Sequence, residues 1–228
     1  MDFPDLQDRV SQIRVFIAER QRLAGLDHPV EIVAITKGHG AEAVRAAAAA
    51  GLSVVGENRV QEALPKQDAT RDVNIEWDLV GTLQRNKARQ VIDRFRLIHS
   101  VDRIELAAEL DHRVAEDRRQ RVLVQVNCSR EPQKGGVEPA ALPPLLDALG
   151  AMRRLEIAGL MTMAAQTDDT GEQRRAFALL RQLSRQAVSR GQAGAELSMG
   201  MSGDYLVAVE EGATIVRLGT LLFGDRSP

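Results

Sequence analysis

The chain is poor in the features that mark several functional classes. It holds a single cysteine, Cys128, so no intramolecular disulfide and no CxxC pair can form. Aromatic residues make up 3% of its 228 positions, which leaves few platforms on which nucleic-acid bases could stack. Neither sign of charge predominates, with 30 lysines and arginines against 32 aspartates and glutamates, so no global field draws in a polyanion or an anionic membrane. The densest basic run, Arg113, Arg118, Arg119 and Arg121, is interleaved with Asp111, Glu116 and Asp117 and reads as a solvated helix end. The histidines, His28, His39, His99 and His112, fall into no metal-ligand spacing such as HExxH. No apolar run reaches the ~20 residues a membrane helix needs. The opening MDFPDLQDRV is acidic and mixed, where a targeting segment is basic and then apolar. The expectation is a soluble, cytoplasmic protein with no nucleic-acid, membrane or metal partner.

What the chain does hold is a regular alternation. A first helix over residues 4–24 follows from Leu6, Val10, Ile13, Ile17 and Leu23 at near-helical spacing. Strands are then expected at 31–37, 53–58, 75–81, 97–102, 122–127, 155–163, 196–200 and 214–220. Between them lie helices, the clearest being the alanine-laden stretch that Gly51 ends as a left-handed cap would. Strands alternating with helices call for a parallel sheet, and eight at near-equal spacing call for a closed (β/α)8 barrel, with the opening helix extra to the repeat. An open doubly wound sheet is the alternative. Closure is preferred because no strand has the charges or prolines of an edge, and no G-x-G-x-x-G turn follows the first strand. With no linker or low-complexity segment, residues 1–228 read as one domain.

Barrels of this type do chemistry at the C-terminal ends of their strands. The first strand, EIVAITK, ends on Lys37. Val33, Ile35 and Lys37 share a face by strand parity. A lone lysine there is commonly a strand reaching water. At a barrel mouth, partly desolvated, it is an amine free to form a Schiff base. The other strand ends supply Glu57, Asn58, Gly81, His99, Asp102, Asn127, Met161 and Met163. The last two loops carry Ser202 and Gly203 before a helix, then Gly219 beside Thr220, and these are the loops that most often grip a phosphate. A serine cap and a glycine turn would explain either segment alone. Arg217 has the parity of Ile215 and Gly219 and so points inward if Gly219 faces a phosphate; buried there it needs an acceptor, Glu57, Asp102 or a ligand.

Several segments in order then resemble the pyridoxal phosphate homeostasis protein family, single-domain relatives of the alanine racemase barrel, over nearly the whole chain. They are the strand ending in Lys37, GENRVQE (56–62), WDLVGTLQRNK (77–87), HSVDR (99–103), VLVQVN with KGG (122–136), GLMTM (159–163) and LSMGMSGDYLVAVEEGATIVRLGTLLFG (197–224). The resemblance implies pyridoxal 5′-phosphate (PLP) as ligand, held as a Schiff base on Lys37. It further implies that Ser202, Gly219 and Thr220 grip the phosphate, that Arg217 faces the pyridine nitrogen, and that Asn58 lies near the ring. PLP-dependent apo-enzymes are the implied recipients. One departure is visible: where many relatives have a second lysine and a proline, this chain has His39 and Gly40, which leaves His39 as a weaker polar substitute. A non-catalytic, monomeric carrier is expected. The alternatives are an amino-acid racemase, which needs a second acid/base from an added domain, and a Schiff-base aldolase. The chain runs only four residues past Gly224, to Pro228, and its one tyrosine, Tyr205, falls in the phosphate-side helix.

Overall fold

A computed structural model describes residues 3–129, 131 and 134–224. Residues 225–228, on which the expectation about the chain's end rests, lie outside the described residues. Eight strands close in chain order into a parallel barrel. They are β1 (Glu31–Ile35), β2 (Val54–Glu57), β3 (Glu76–Leu79), β4 (Leu97–Val101), β5 (Gln120–Gln125), β6 (Leu155–Met161), β7 (Glu196–Ser198) and β8 (Ile215–Leu218). β8 pairs back onto β1 in register, Val33 beside Arg217 and Ala34 beside Leu218.

Strand parity builds the two layers. Val33, Val54, Leu97, Leu123, Ala158, Met161 and Ile215 fill the barrel interior. Ile32, Ala34, Val55, Val122, Val124, Val216 and Leu218 face outward into the larger core beneath the helices. Those helices are α1 (Leu6–Ala24), α2 (Ala41–Ala49), α3 (Val60–Ala69), α4 (Ala88–Val91), α5 (Ile104–Arg113), α6 (Leu142–Gly150), α7 (Thr170–Ser189), α8 (Tyr205–Glu210) and α9 (Thr220–Phe223). Gly51 closes α2 with φ 76°, a region that glycine enters without steric cost. Asp169 caps α7 by accepting from the backbone N–H groups of Gly171 and Glu172. The extra helix α1 packs against α8, α9 and α2.

The expected barrel is the observed one, and its departures are local. β1 stops at Ile35, because after Thr36 N–H bonds Gly56 O the chain turns: His39 N–H closes back on Thr36 O and Gly38 takes φ 82°. Lys37 therefore stands on the loop, two residues beyond the strand. Between β3 and β4 the helix is short, α4 behind a 3-10 turn at Arg85–Lys87, since Ile92 is extended and Asp93 takes φ 62°. The last strand, expected to run to 220, ends at Leu218, and Thr220 opens α9.

Ion pairs line the N-terminal end of the barrel. Arg96 binds both carboxylate oxygens of Glu31, at 2.8 and 2.6 Å, and both of Asp78, at 3.0 and 2.8 Å. Arg121 bonds Glu156 and Glu196 at 3.3 and 2.5 Å. Burial opposes the charge of Arg96, but the two carboxylates outweigh it and raise the guanidinium pKa above its ordinary value.

Candidate functional site

The strands' C-terminal ends collect the other polar residues. Lys37 follows the interior-facing Val33 and Ile35 on the turn after β1 and is half-buried. Its ammonium enters no hydrogen bond or ion pair among the described residues. The backbone that carries it is fixed from behind. Lys66 of α3 donates to Thr36 O at 2.8 Å and to Glu57 Oε1 at 2.5 Å, and Thr36 Oγ1 donates to the same Glu57 oxygen at 2.6 Å. A buried carboxylate, a lysine and a threonine thus hold the residue next to Lys37 in place.

Arg217 lies inside the barrel, as its parity requires, and is 5% exposed. Its Nη1 donates to Ser198 Oγ at 2.7 Å and its Nη2 to Thr162 O at 3.0 Å. Neither carboxylate that the sequence offered reaches it. Glu57 points outward to Lys66, in keeping with the parity of Val55, and Asp102 pairs with Arg103 at 2.5 Å. No carboxylate forms an ion pair with Arg217 among the described residues. Burial pushes its pKa down to about 10, with the charge of Asp204 opposing, so the group remains a donor at neutral pH.

Ser202, Gly219 and Thr220 come together at the rim. Ser202 Oγ accepts from the backbone N–H groups of Gly219 and Leu221, both at 3.3 Å, which joins the loop after β7 to the start of α9. A Cβ on Gly203 would meet nothing within 4 Å, and one on Gly219 would stand 3.4 Å from Ile35. The cradle is open on one side and close to the Lys37 loop on the other. Asn58 follows β2, the strand that pairs Ile35 with Gly56, and so opens the loop next to the end of β1 on the side away from β8. Its backbone is fixed by Gly81, where a Cβ would lie 2.2 Å from Asn58 O.

His39 packs its ring against Phe3 and Phe223, with centroids 5.7 and 5.4 Å away, and so ties the Lys37 loop to α9. The sole tyrosine, Tyr205, is buried at the start of α8, and burial raises the pKa of its hydroxyl.

Sequence reasoning passed over Asp78, Ser198 and Thr162, which surround Arg217 and His99 in the interior. His99 Nδ1 lies 2.9 Å from Ser198 Oγ, and Nε2 lies 3.1 Å from Asp78 Oδ2. The available signal was parity: Asp78, and Ser198 in line with Glu196, are inward positions of short strands, where an apolar residue is the default.

The closed parallel barrel agrees with the family model that residues 16–227 match, alanine racemase, N-terminal domain. The chain belongs to the pyridoxal phosphate homeostasis protein family. It is 40% identical over 223 residues to the pyridoxal phosphate homeostasis protein of Pseudomonas aeruginosa, covering 97% of this chain and 96% of that one. With the protein of that name from Aquifex aeolicus it shares 45% identity over 179 residues, 77% of this chain and 78% of the other. Among solved structures, PipY of Synechococcus elongatus with PLP bound superposes with a TM-score of 0.84 at 37% identity, covering 96% of this chain and all of that one (100%). Alanine racemase of Corynebacterium glutamicum, at 19% identity and TM-score 0.71, over 93% of this chain and 62% of that one, shares the fold.

Proposed function

We propose that the protein binds PLP through Lys37 and holds it without turning over a substrate, as a carrier in PLP homeostasis. The observation that carries this reading is Arg217: a buried cation without a carboxylate partner among the described residues, at the end of the barrel where an uncommitted lysine and an open cradle converge. When bound, PLP supplies an aldehyde that condenses reversibly with a primary amine, an anionic phosphate and a pyridine nitrogen that accepts a hydrogen bond. The residues present fit each of these groups. Lys37 provides the amine, with Asn58 beside it. Ser202 and Thr220 would provide hydroxyl donors to the phosphate, beside Gly219, which has no side chain to block its approach.

Arg217 would donate to the ring nitrogen. A guanidinium keeps its protons, so its acceptor stays unprotonated and the ring withdraws electrons weakly, which disfavours carbanion chemistry. That supports holding over catalysis. Racemisation also needs an acid/base on each face of the α-carbon, and burial of Tyr205 in α8 takes the one tyrosine away from such work. In the same reading residues 1–228 act as one binding domain and as a monomer.

The test is borohydride reduction of the PLP-loaded protein followed by peptide mapping. A phosphopyridoxyl adduct is expected on Lys37 and is lost in Lys37→Ala; an adduct on another lysine overturns the assignment. Incubation with L-amino acids in deuterium oxide should leave the α-proton unexchanged. Exchange at a catalytic rate would instead make the protein a racemase-type enzyme.

A further inference from the structure

Polar groups that binding does not touch run in series through the barrel interior. Asp78, His99 and Ser198 are each 0% exposed, and they come from β3, β4 and β7. They link the Arg96–Glu31 pair at the N-terminal end to Arg217 near the mouth: Arg96 to Asp78, Asp78 to His99 Nε2, His99 Nδ1 to Ser198 Oγ, and Ser198 Oγ to Arg217 Nη1.

Chemistry fixes the direction of each bond. Arg217 and Arg96 can only donate, and the Asp78 carboxylate can only accept. His99 Nε2 must therefore carry the hydrogen it gives to Asp78. Ser198, having accepted from Arg217, has one proton left to give. With a neutral ring, His99 Nδ1 takes it and every donor finds an acceptor. An imidazolium would aim a second N–H at Ser198 and leave the hydroxyl proton without that acceptor. It would also add a third cation between Arg96 and Arg217, with Asp78 as the facing anion. Burial is the main force pushing the His99 pKa down, Asp78 opposes it, and the two arginines add to the fall.

We infer that His99 is a positioning residue: fixed as the neutral Nε2–H tautomer by Asp78, it holds Ser198 as an acceptor and so sets the orientation of the Arg217 guanidinium that meets the ligand. What Arg217 meets rests on the binding reading above. The tautomer and the bond directions concern the protein alone.

Two measurements test this. Long-range 1H–15N spectra of the ligand-free full chain, with the resonance assigned by His99→Gln, should show one imidazole as the Nε2–H tautomer that stays neutral where an ordinary histidine takes up its proton. Titration near the ordinary histidine value, or the Nδ1–H tautomer, overturns the inference. In PLP-loaded protein, Ser198→Ala and His99→Gln should move the visible absorption band and weaken PLP binding by about three- to tenfold, the effect of one lost hydrogen bond. His99→Asn, whose Oδ1 replaces the Nδ1 acceptor, should restore both, and Ile215→Val in the same layer should change neither. Unchanged spectra and affinity in Ser198→Ala and His99→Gln refute the positioning role. If wild-type protein takes up no PLP, the binding reading fails, and the spectra of the ligand-free chain still decide the tautomer.

Discussion

Deleting the Lys66 ammonium isolates the energetics of the support behind Lys37. Glu57 is 0% exposed; its Oε1 is shared by Thr36 and Lys66, and its Oε2 has no partner among the described residues. In Lys66→Met the stem length is kept, but the carboxylate is left in a dry site with one hydroxyl bond. Breaking a buried pair by removing one partner costs about 3–5 kcal/mol. For a chain of this size each kcal/mol moves Tm by about 2–4 °C, so a fall of about 6–20 °C is expected. Glu57→Gln should be milder, about 1–2 kcal/mol. The amide oxygen still accepts from Thr36, and Lys66, with 11% of its side chain exposed, keeps its bond to Thr36 O and an approach to water. The double variant Lys66→Met/Glu57→Gln should be more stable than Lys66→Met alone, because it removes the stranded charge. Urea denaturation of the four proteins closes the cycle. Faster PLP release from Lys66→Met is expected with it, since Thr36 adjoins Lys37. A loss below about 1 kcal/mol in Lys66→Met, or a double variant no better than it, refutes the buried pair as the support of this loop.

Four further outcomes follow from the same physics. Arg217→Leu removes a buried cation that lacks a carboxylate, so the ligand-free protein should gain about 1–3 kcal/mol in denaturant while bound PLP changes its visible spectrum and stays attached to Lys37; a large loss of stability contradicts this. Burial holds His99 below the ordinary histidine pKa of about 6.5, so as pH falls through that value the unfolded chain takes up a proton that the folded one refuses. Stability should then drop with falling pH, and His99→Gln should flatten the slope in a pH series of melts. Gly219→Ala places a methyl at ordinary contact distance, 3.4 Å from Ile35, and should lower PLP affinity with stability changed by less than about 0.5 kcal/mol. Gly81→Ala, 2.2 Å from Asn58 O, should instead cost more than about 2 kcal/mol, because backbone must move.

The barrel was legible because the strand-then-helix alternation recurs at near-equal spacing, with β-branched runs such as that of β1 and a helix end such as Gly51 marking the clearest elements, and these signals are local. The inward setting of Arg217 was legible for the same reason, since parity with Ile215 survives in the structure. What parity could not supply was the partner. Glu57 and Asp102 both looked able to reach Arg217, yet Glu57 shares the outward parity of Val55 and meets Lys66, while Asp102, past the end of β4, pairs with Arg103. Asp78, His99 and Ser198 sit far apart in the chain, on β3, β4 and β7, and meet only because the sheet closes on itself. The packing of His39 was hidden likewise, because Phe3 and Phe223 come from opposite ends of the sequence.

Three arginines of the barrel show where the fold places unspent interaction energy. Arg96 and Arg121 stand at the N-terminal end, each against two or more carboxylates, and in both the carboxylates outweigh burial and raise the pKa. Arg217 is more deeply buried, holds one hydroxyl and one carbonyl, and its pKa falls. A sequence shaped for stability alone would put an apolar side chain there, since an unpaired buried charge is costly. Keeping an arginine makes sense when an acceptor arrives from outside, because a ligand that completes its hydrogen bonds recovers the desolvation already incurred by the fold. The donor is then set before the ligand binds, and less ordering remains to be done on association. By the same logic the gain in stability of Arg217→Leu and its altered hold on PLP are one effect seen twice, and a variant showing only one of them would break the link.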